Sequence, residues 1–150
     1  MLTDFTAFIL VKYLHLVSVF GMIGCLTGEL VLLKPSMTRK ELRNLSRLDG
    51  LYGLAAILAV AGGLTLWFAV GKGSDFYSHT FMHIKLTIVI IVGLVSIIPT
   101  LFYIRKSKGD PNESIETPSR IKKLVVLQLV LMAVVPPLAT MVSYGIRIGN

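Results

Sequence analysis

Six ionisable side chains lie in or beside stretches that are otherwise apolar. The run VKYLHLVSVFGMIGCLTGELVLLK, residues 11–34, carries Lys12, His15 and Glu29, and a later run, 81–103, carries His83 and Lys85 with His79 shortly before it. An ionisable group at the centre of a membrane helix costs about 2.5–3.5 kcal/mol on insertion scales, so each is a candidate for chemistry. A neutral histidine offers one donor and one acceptor nitrogen, binds metals and handles protons near neutral pH. Lysine and glutamate supply the opposite charges needed to hold an anion or a proton. At helical spacing His15, Ser18, Met22, Cys25 and Glu29 make one stripe, with Lys12 a turn before it. Advancing 100° per residue, His83 and Lys85 point about 200° apart, so only one of them faces inward.

Depth sorts the candidates further. At about 1.5 Å per residue His15 and Glu29 are about 21 Å apart and belong to opposite halves of a bilayer. Lys85 enters its span at a level close to His15. The expected partners are therefore Lys85, His83 or His79 for His15, and Arg47, Arg105 or Tyr52 for Glu29, with Asp49 and Tyr52 completing an inner-side polar pocket or ion pair. Histidines from facing helices at one depth are the arrangement that holds a haem iron, with cationic side chains near the propionates. His15 is then the expected axial ligand, His83 or His79 the second, and Lys85, Lys12 or Lys72 the propionate partners. No CxxCH, HExxH, Walker A, GxGxxG or GxSxG stretch occurs, so covalent haem attachment and the familiar protease, nucleotide and acyl-transfer chemistries lack their parts.

The elements that must position these groups follow from composition. The chain has 150 residues, of which 54% are hydrophobic and 15% charged, and its mean hydropathy is +0.76. A soluble domain carries about 25% charged residues. Four apolar runs, at about 6–33, 51–70, 81–103 and 124–146, each exceed the roughly 17 residues needed to cross hydrocarbon as a helix. The expected architecture is all-α: a transmembrane four-helix up-down bundle in a single integral membrane domain, 1–150.

Charge placement orients it. Eleven of the fifteen basic residues lie between spans one and two (Lys34, Arg39, Lys40, Arg43, Arg47) and between spans three and four (Arg105, Lys106, Lys108, Arg120, Lys122, Lys123). The positive-inside rule puts both loops in the cytoplasm and both termini on the outer side, which in a bacterial inner membrane is the periplasmic side. Anionic headgroups account for the net charge of +7, and no aromatic residues are interleaved with these charges as a nucleic-acid surface would need. The N-terminal MLTDFTAF has no positive n-region, so span one is expected to stay rather than to be cleaved. Cys25 is the single cysteine, which precludes an internal disulfide.

Interior faces can be read from each span. Gly21, Gly24 and Gly28 include the GxxxG stretch GCLTG, which lets a helix of the same bundle, or of a second copy, approach closely. Span two aligns Asp49, Tyr52, Ala56, Ala59 and Gly63; span three Lys85, Val92, Ser96, Pro99 and Tyr103; span four Gln128, Met132, Pro136, Thr140 and Ser143. The link TRKELRNLSRLD is expected to form a short amphipathic surface helix with Leu42, Leu45 and Leu48 toward lipid. The loop KSKGDPNESIETPS is expected to be mobile.

The segments HLVSVFGMIGCLTGELVLL, RLDGLYGLAA and FYSHTFMHIKLTIVIIVGLVSIIPT resemble a family of uncharacterised small four-span bacterial inner-membrane proteins known only as a domain of unknown function. The resemblance implies a motif at His15, Glu29, Arg47, Asp49, Tyr52, Lys85 and Pro99, and no activity. More distantly, KYLHLVSVFGMIG and MHIKLTIVIIVGL resemble the haem b-binding membrane protoporphyrinogen oxidases and the copper-resistance D proteins. By that resemblance His15 matches a first-helix histidine and Lys85 a later lysine, whereas the tryptophan and arginine that follow the histidine in the oxidases are missing. The leading expectation is a membrane protein with a polar intramembrane pocket around His15 and Lys85 that binds haem b and exchanges electrons with quinone or a redox partner. The alternatives are a non-enzymatic or transport-related subunit binding a small anion or proton, and an assembly factor or homo-oligomer held by glycine packing.

Overall fold

Backbone N–H and C=O groups find no partner in hydrocarbon, so an apolar chain that crosses it satisfies them within helices. The computed structural model describes residues 2–72 and 80–146, with side chains described from Phe5 onward; His79 and Arg147 lie outside the described residues. Among these, four long helices dominate: α1 Leu2–Leu32, α2 Arg39–Phe68, α3 Thr80–Lys106 and α4 Ser119–Ser143. The shortest has 25 residues, about 37 Å of helix against a hydrocarbon core of about 30 Å. All four are apolar enough to span a membrane.

The bundle turns many of its large aliphatic residues outward. Phe5, Leu10, Phe20 and Val31 of α1, and Ile90, Leu94 and Ile97 of α3, are exposed, whereas Ser18, Glu29, Asp49 and Gln128 are buried. Lipid tails are as apolar as leucine, so the helices associate through close packing and polar contacts instead of apolar burial. α1 packs most extensively on α2 and α3 on α4, while the α1–α4 and α2–α3 seams are thinner. Two helical hairpins thus lean together.

Small residues set the α1–α2 distance. A Cβ on Gly28 would stand 3.0 Å from Leu48 Cδ2, one on Gly21 3.7 Å from Ala55 Cβ, and one on Gly62 3.0 Å from His15 Cβ. Gly24 meets nothing within 4 Å, so the GxxxG pair is split. The working positions are Gly21 and Gly28, seven residues apart and hence on one face.

The basic end differs from expectation in two ways. TRKELRNLSRLD is not a separate surface helix but the opening turns of α2, and Leu42 and Leu45 are 0% and 1% exposed in the core. A capping box starts the helix at once: Glu41 N–H donates to Thr38 Oγ1 (3.2 Å) and Thr38 N–H to Glu41 Oε2 (2.8 Å). With no breaker before the apolar run, helix and span merge. The second loop is also structured. Its strand β2 (Ser114–Glu116) pairs antiparallel with β1 (Ser36–Thr38), Met37 opposite Ile115. Arg39 clamps it, with Nε 2.7 Å from Glu113 Oε2 and Nη1 donating to the carbonyls of Lys106 (2.9 Å) and Lys108 (2.5 Å). The guanidinium holds the Glu113 carboxyl below the usual glutamate range, chiefly through that hydrogen bond. Gly109, at φ +118°, lies against Arg39 where a side chain would collide.

Placing Val at Gly62 forces carbon into the His15 backbone and is expected to cost about 1–3 kcal/mol. Gly24→Ala, in open space, is expected to be neutral or stabilising by up to about 1 kcal/mol. Unfolding of the two purified variants in detergent checks the contrast.

Candidate functional site

A cavity of about 520 Å³ lies between the hairpins and is lined from all four helices. Its walls are aliphatic, with the thioethers of Met22, Met82 and Met132 and the ring of Pro136 among them. Exposed Val60 and Leu64 of α2 and Ile90 and Ile104 of α3 also line it. The thin α2–α3 seam is therefore its side facing the acyl chains.

His15 stands at the end nearer the chain termini. Its Nδ1 is 2.7 Å from the Ala59 carbonyl oxygen. A carbonyl only accepts, so Nδ1 carries the proton, and in the neutral ring Nε2 keeps its lone pair. The sequence permits this approach because α2 presents two glycines there: a Cβ on Gly63 would be 3.2 Å from His15 Cε1, and one on Gly62 would strike His15 Cβ and Cα. Among the described residues Nε2 has no hydrogen-bond partner.

Two cavity-lining groups accompany it. Lys85 is close enough to His15 to act on it electrostatically, and no carboxylate pairs with it among the described residues. Trp67 lines the same end, and its Nε1–H is buried without a partner; the indole stacks on Phe68 at 4.9 Å. This end thus offers an imidazole lone pair, an ammonium and an indole N–H to one apolar space.

At the basic end Asp49, Tyr52, Ser96 and Thr100 line the cavity. Thr100 Oγ1 donates to Asp49 Oδ1 at 3.0 Å, and Tyr52 lies beside Ser96. Glu29, 1% exposed, sits next to this cluster and accepts from the Tyr103 hydroxyl at 3.4 Å. Gln128 of α4 is 1% exposed, its Nε2 donating to Leu124 O at 3.4 Å. The second oxygen of Glu29 and the amide oxygen of Gln128 have no partner.

The structure brings His15, Lys85, Asp49 and Tyr52 onto one cavity and buries Glu29 beside it. It does not bring the others. His83 is exposed on α3, so Lys85 is the inward member of that pair. Arg47 is exposed, and the expected ion pair with Glu29 is not formed among the described residues; the partner is Tyr103. α2 carries Arg47 two positions from Asp49, about 200° round the helix, so the two cannot share a face. Lys12 lies outside as well, 5.6 Å over the Phe8 ring. Thr140 and Ser143 of the α4 stripe are exposed and donate to carbonyls of their own helix, at Pro137 and Thr140.

Sequence reasoning missed Trp67 and Thr100. Trp67 extends the stripe of Tyr52, Ala56, Ala59 and Gly63 by one turn, so periodicity alone could have added it. Thr100 also continues a stripe, four residues after Ser96 and three before Tyr103, but a threonine in a span ordinarily bonds its own helix, as Thr27 does to Ile23 O at 2.8 Å.

Four apolar helices around a polar-ended cavity define a small four-span integral membrane protein. The chain belongs to the family described as "Predicted membrane protein (DUF2214)", whose model matches residues 7–147. No curated protein and no solved structure matches it.

Thr100→Val removes the donor to a buried carboxyl and is expected to destabilise by about 1–3 kcal/mol. Thr27→Val, on the lipid side, is expected to stay within about 0.5 kcal/mol. Denaturation of both in matched micelles measures the difference.

Proposed function

We propose that this protein holds a flat, lipid-soluble cofactor in the cavity, its polar end at His15, Lys85 and Trp67, with haem b the first candidate. One observation carries the reading: His15 Nε2, the Lys85 ammonium and the Trp67 N–H, none of them given a hydrogen-bond partner among the described residues, meet at one end of a mostly apolar space that borders lipid. Apolar pockets with a few convergent polar groups are the usual form of cofactor sites.

The residues fit a haem in part. His15 Nε2 is left bare by the bond that Nδ1 makes to Ala59, and a bond of that kind orients a ligating imidazole. Lys85 and the Trp67 N–H suit a propionate. Among the described residues no second imidazole reaches the cavity, and a thioether such as Met132 would be the further group there able to help hold the iron; His79 lies outside them. A bound haem would supply one-electron transfer. The chain's own part is to fix the ring, keep water out and neutralise the carboxylate.

A second reading rests on the same donors. Lys85 and Trp67 both donate, which suits the carbonyl of a quinone or a small anion, and the α2–α3 seam gives a lipid-borne molecule a way in. On the positive-inside rule the basic end faces the cytoplasm of a bacterial inner membrane, and the His15 end lies in the outer half.

The visible spectrum of protein purified from haem-replete cells tests the proposal. The haem reading expects a Soret band that His15→Ala abolishes or shifts and that Lys85→Met weakens. A colourless protein whose organic extract contains quinone, depleted in Lys85→Met, would replace haem with the second reading. Colourless, quinone-free protein in which both substitutions change only oligomer yield would leave the assembly role and overturn both.

A further inference from the structure

The buried polar atoms without partners differ in kind at the two ends of the cavity. At the His15 end the orphan is a donor, Trp67 Nε1–H; within the spans toward the basic end the orphans, Glu29 Oε1 and Gln128 Oε1, are both acceptors, and the remaining one, the Thr117 hydroxyl, lies outside the spans. An ionised carboxylate has about four acceptor positions. Glu29 is given one donor, Tyr103, and Asp49 one, Thr100. Neither forms an ion pair among the described residues, although the two carboxyls act on each other electrostatically. Two like charges, desolvated, adjacent and short of donors, are an expensive arrangement inside a membrane. What this end lacks is hydrogen.

We infer that Glu29 and Asp49 form an intramembrane proton-binding site, with Asp49 as the member that faces the cavity. A proton on either carboxyl removes one negative charge and turns an acceptor oxygen into a donor, which corrects both deficits at once. Oxygen-ligated metal is a poorer fit, since the hydroxyls already donate to the carboxyls and the described residues contain no group of three or more potential metal-binding side chains. The other titratable groups around the pair are Cys25 on α1, Tyr52 on α2 and Tyr103 on α3; the polar residue buried on α4, Gln128, does not titrate. Arg43, Arg47 and Arg105 are exposed. Glu29 lies one turn from the end of α1 at Leu32, and Asp49 lines the cavity, so the pair lies between the basic surface and the cavity interior.

The inference does not depend on what occupies the cavity, and its test uses the full chain without added ligand. Infrared difference spectra are taken in lipid between about pH 5 and about pH 9, in H2O and D2O. The expected result is a protonated-carboxyl C=O band that is sensitive to D2O and loses intensity as pH rises. Glu29→Gln or Asp49→Asn removes or displaces this band, and Tyr103→Phe shifts its frequency while keeping a carboxyl in place. Helical circular dichroism and a single elution peak establish that each variant is folded. Tyr103→Phe, which deletes one hydroxyl, serves if either carboxyl variant fails that standard. The inference is overturned if no protonated-carboxyl band exists at any pH, if the band is constant across the range, or if folded variants leave it unaltered.

Discussion

A hydrogen bond from His15 Nδ1 to the Ala59 carbonyl joins α1 to α2 within the apolar part of the bundle, and much of the interior is arranged around it. It forms only because Gly62 and Gly63 let the imidazole lie against the α2 backbone. The same contact decides the chemistry on offer. With the proton held at Nδ1, the other nitrogen becomes the lone pair available to the cavity, and the ring cannot swing toward lipid without leaving a polar group unsatisfied in hydrocarbon.

Below that contact the α1–α2 pair zips through Gly21 against Ala55 and Gly28 against Leu48, which carries Glu29 and Asp49 to neighbouring levels at the basic end. The α3–α4 hairpin closes over them, bringing Lys85 to one end of the cavity and Thr100 and Tyr103 to the other. The thinner seams between hairpins leave the cavity; tighter packing there would have filled it with side chains. A clamp holds the basic end together: Arg39, at the start of α2, reaches Glu113 and carbonyls at and just past the end of α3, so the two hairpins share one structured cap.

The four spans were legible because hydrocarbon thickness imposes a run length that few soluble helices reach, and 3.6-residue periodicity put His15, Glu29, Asp49 and Lys85 inside. The same arithmetic separates His83 from Lys85, and the structure exposes the former. The basic end was less legible for a physical reason. Polarity and turn residues mark a loop, but the pairing of Ser36–Thr38 with Ser114–Glu116 is nonlocal and leaves no periodic trace. Charge and depth likewise suggested Arg47, Arg105 or Tyr52 for Glu29, while the hydroxyl that reaches it is that of buried Tyr103. Glycine spacing showed that α1 packs closely; it could not show that Gly24 would be the member left facing open space.

The most direct test of this arrangement is solid-state NMR of the full chain in lipid, with labelled histidine and glycine. The account predicts that the His15 ring is protonated at Nδ1, with cross-peaks from its Cε1 to the Cα of Gly63. A His15 ring that shows contacts to acyl-chain protons, and none to the α2 glycines, would contradict it.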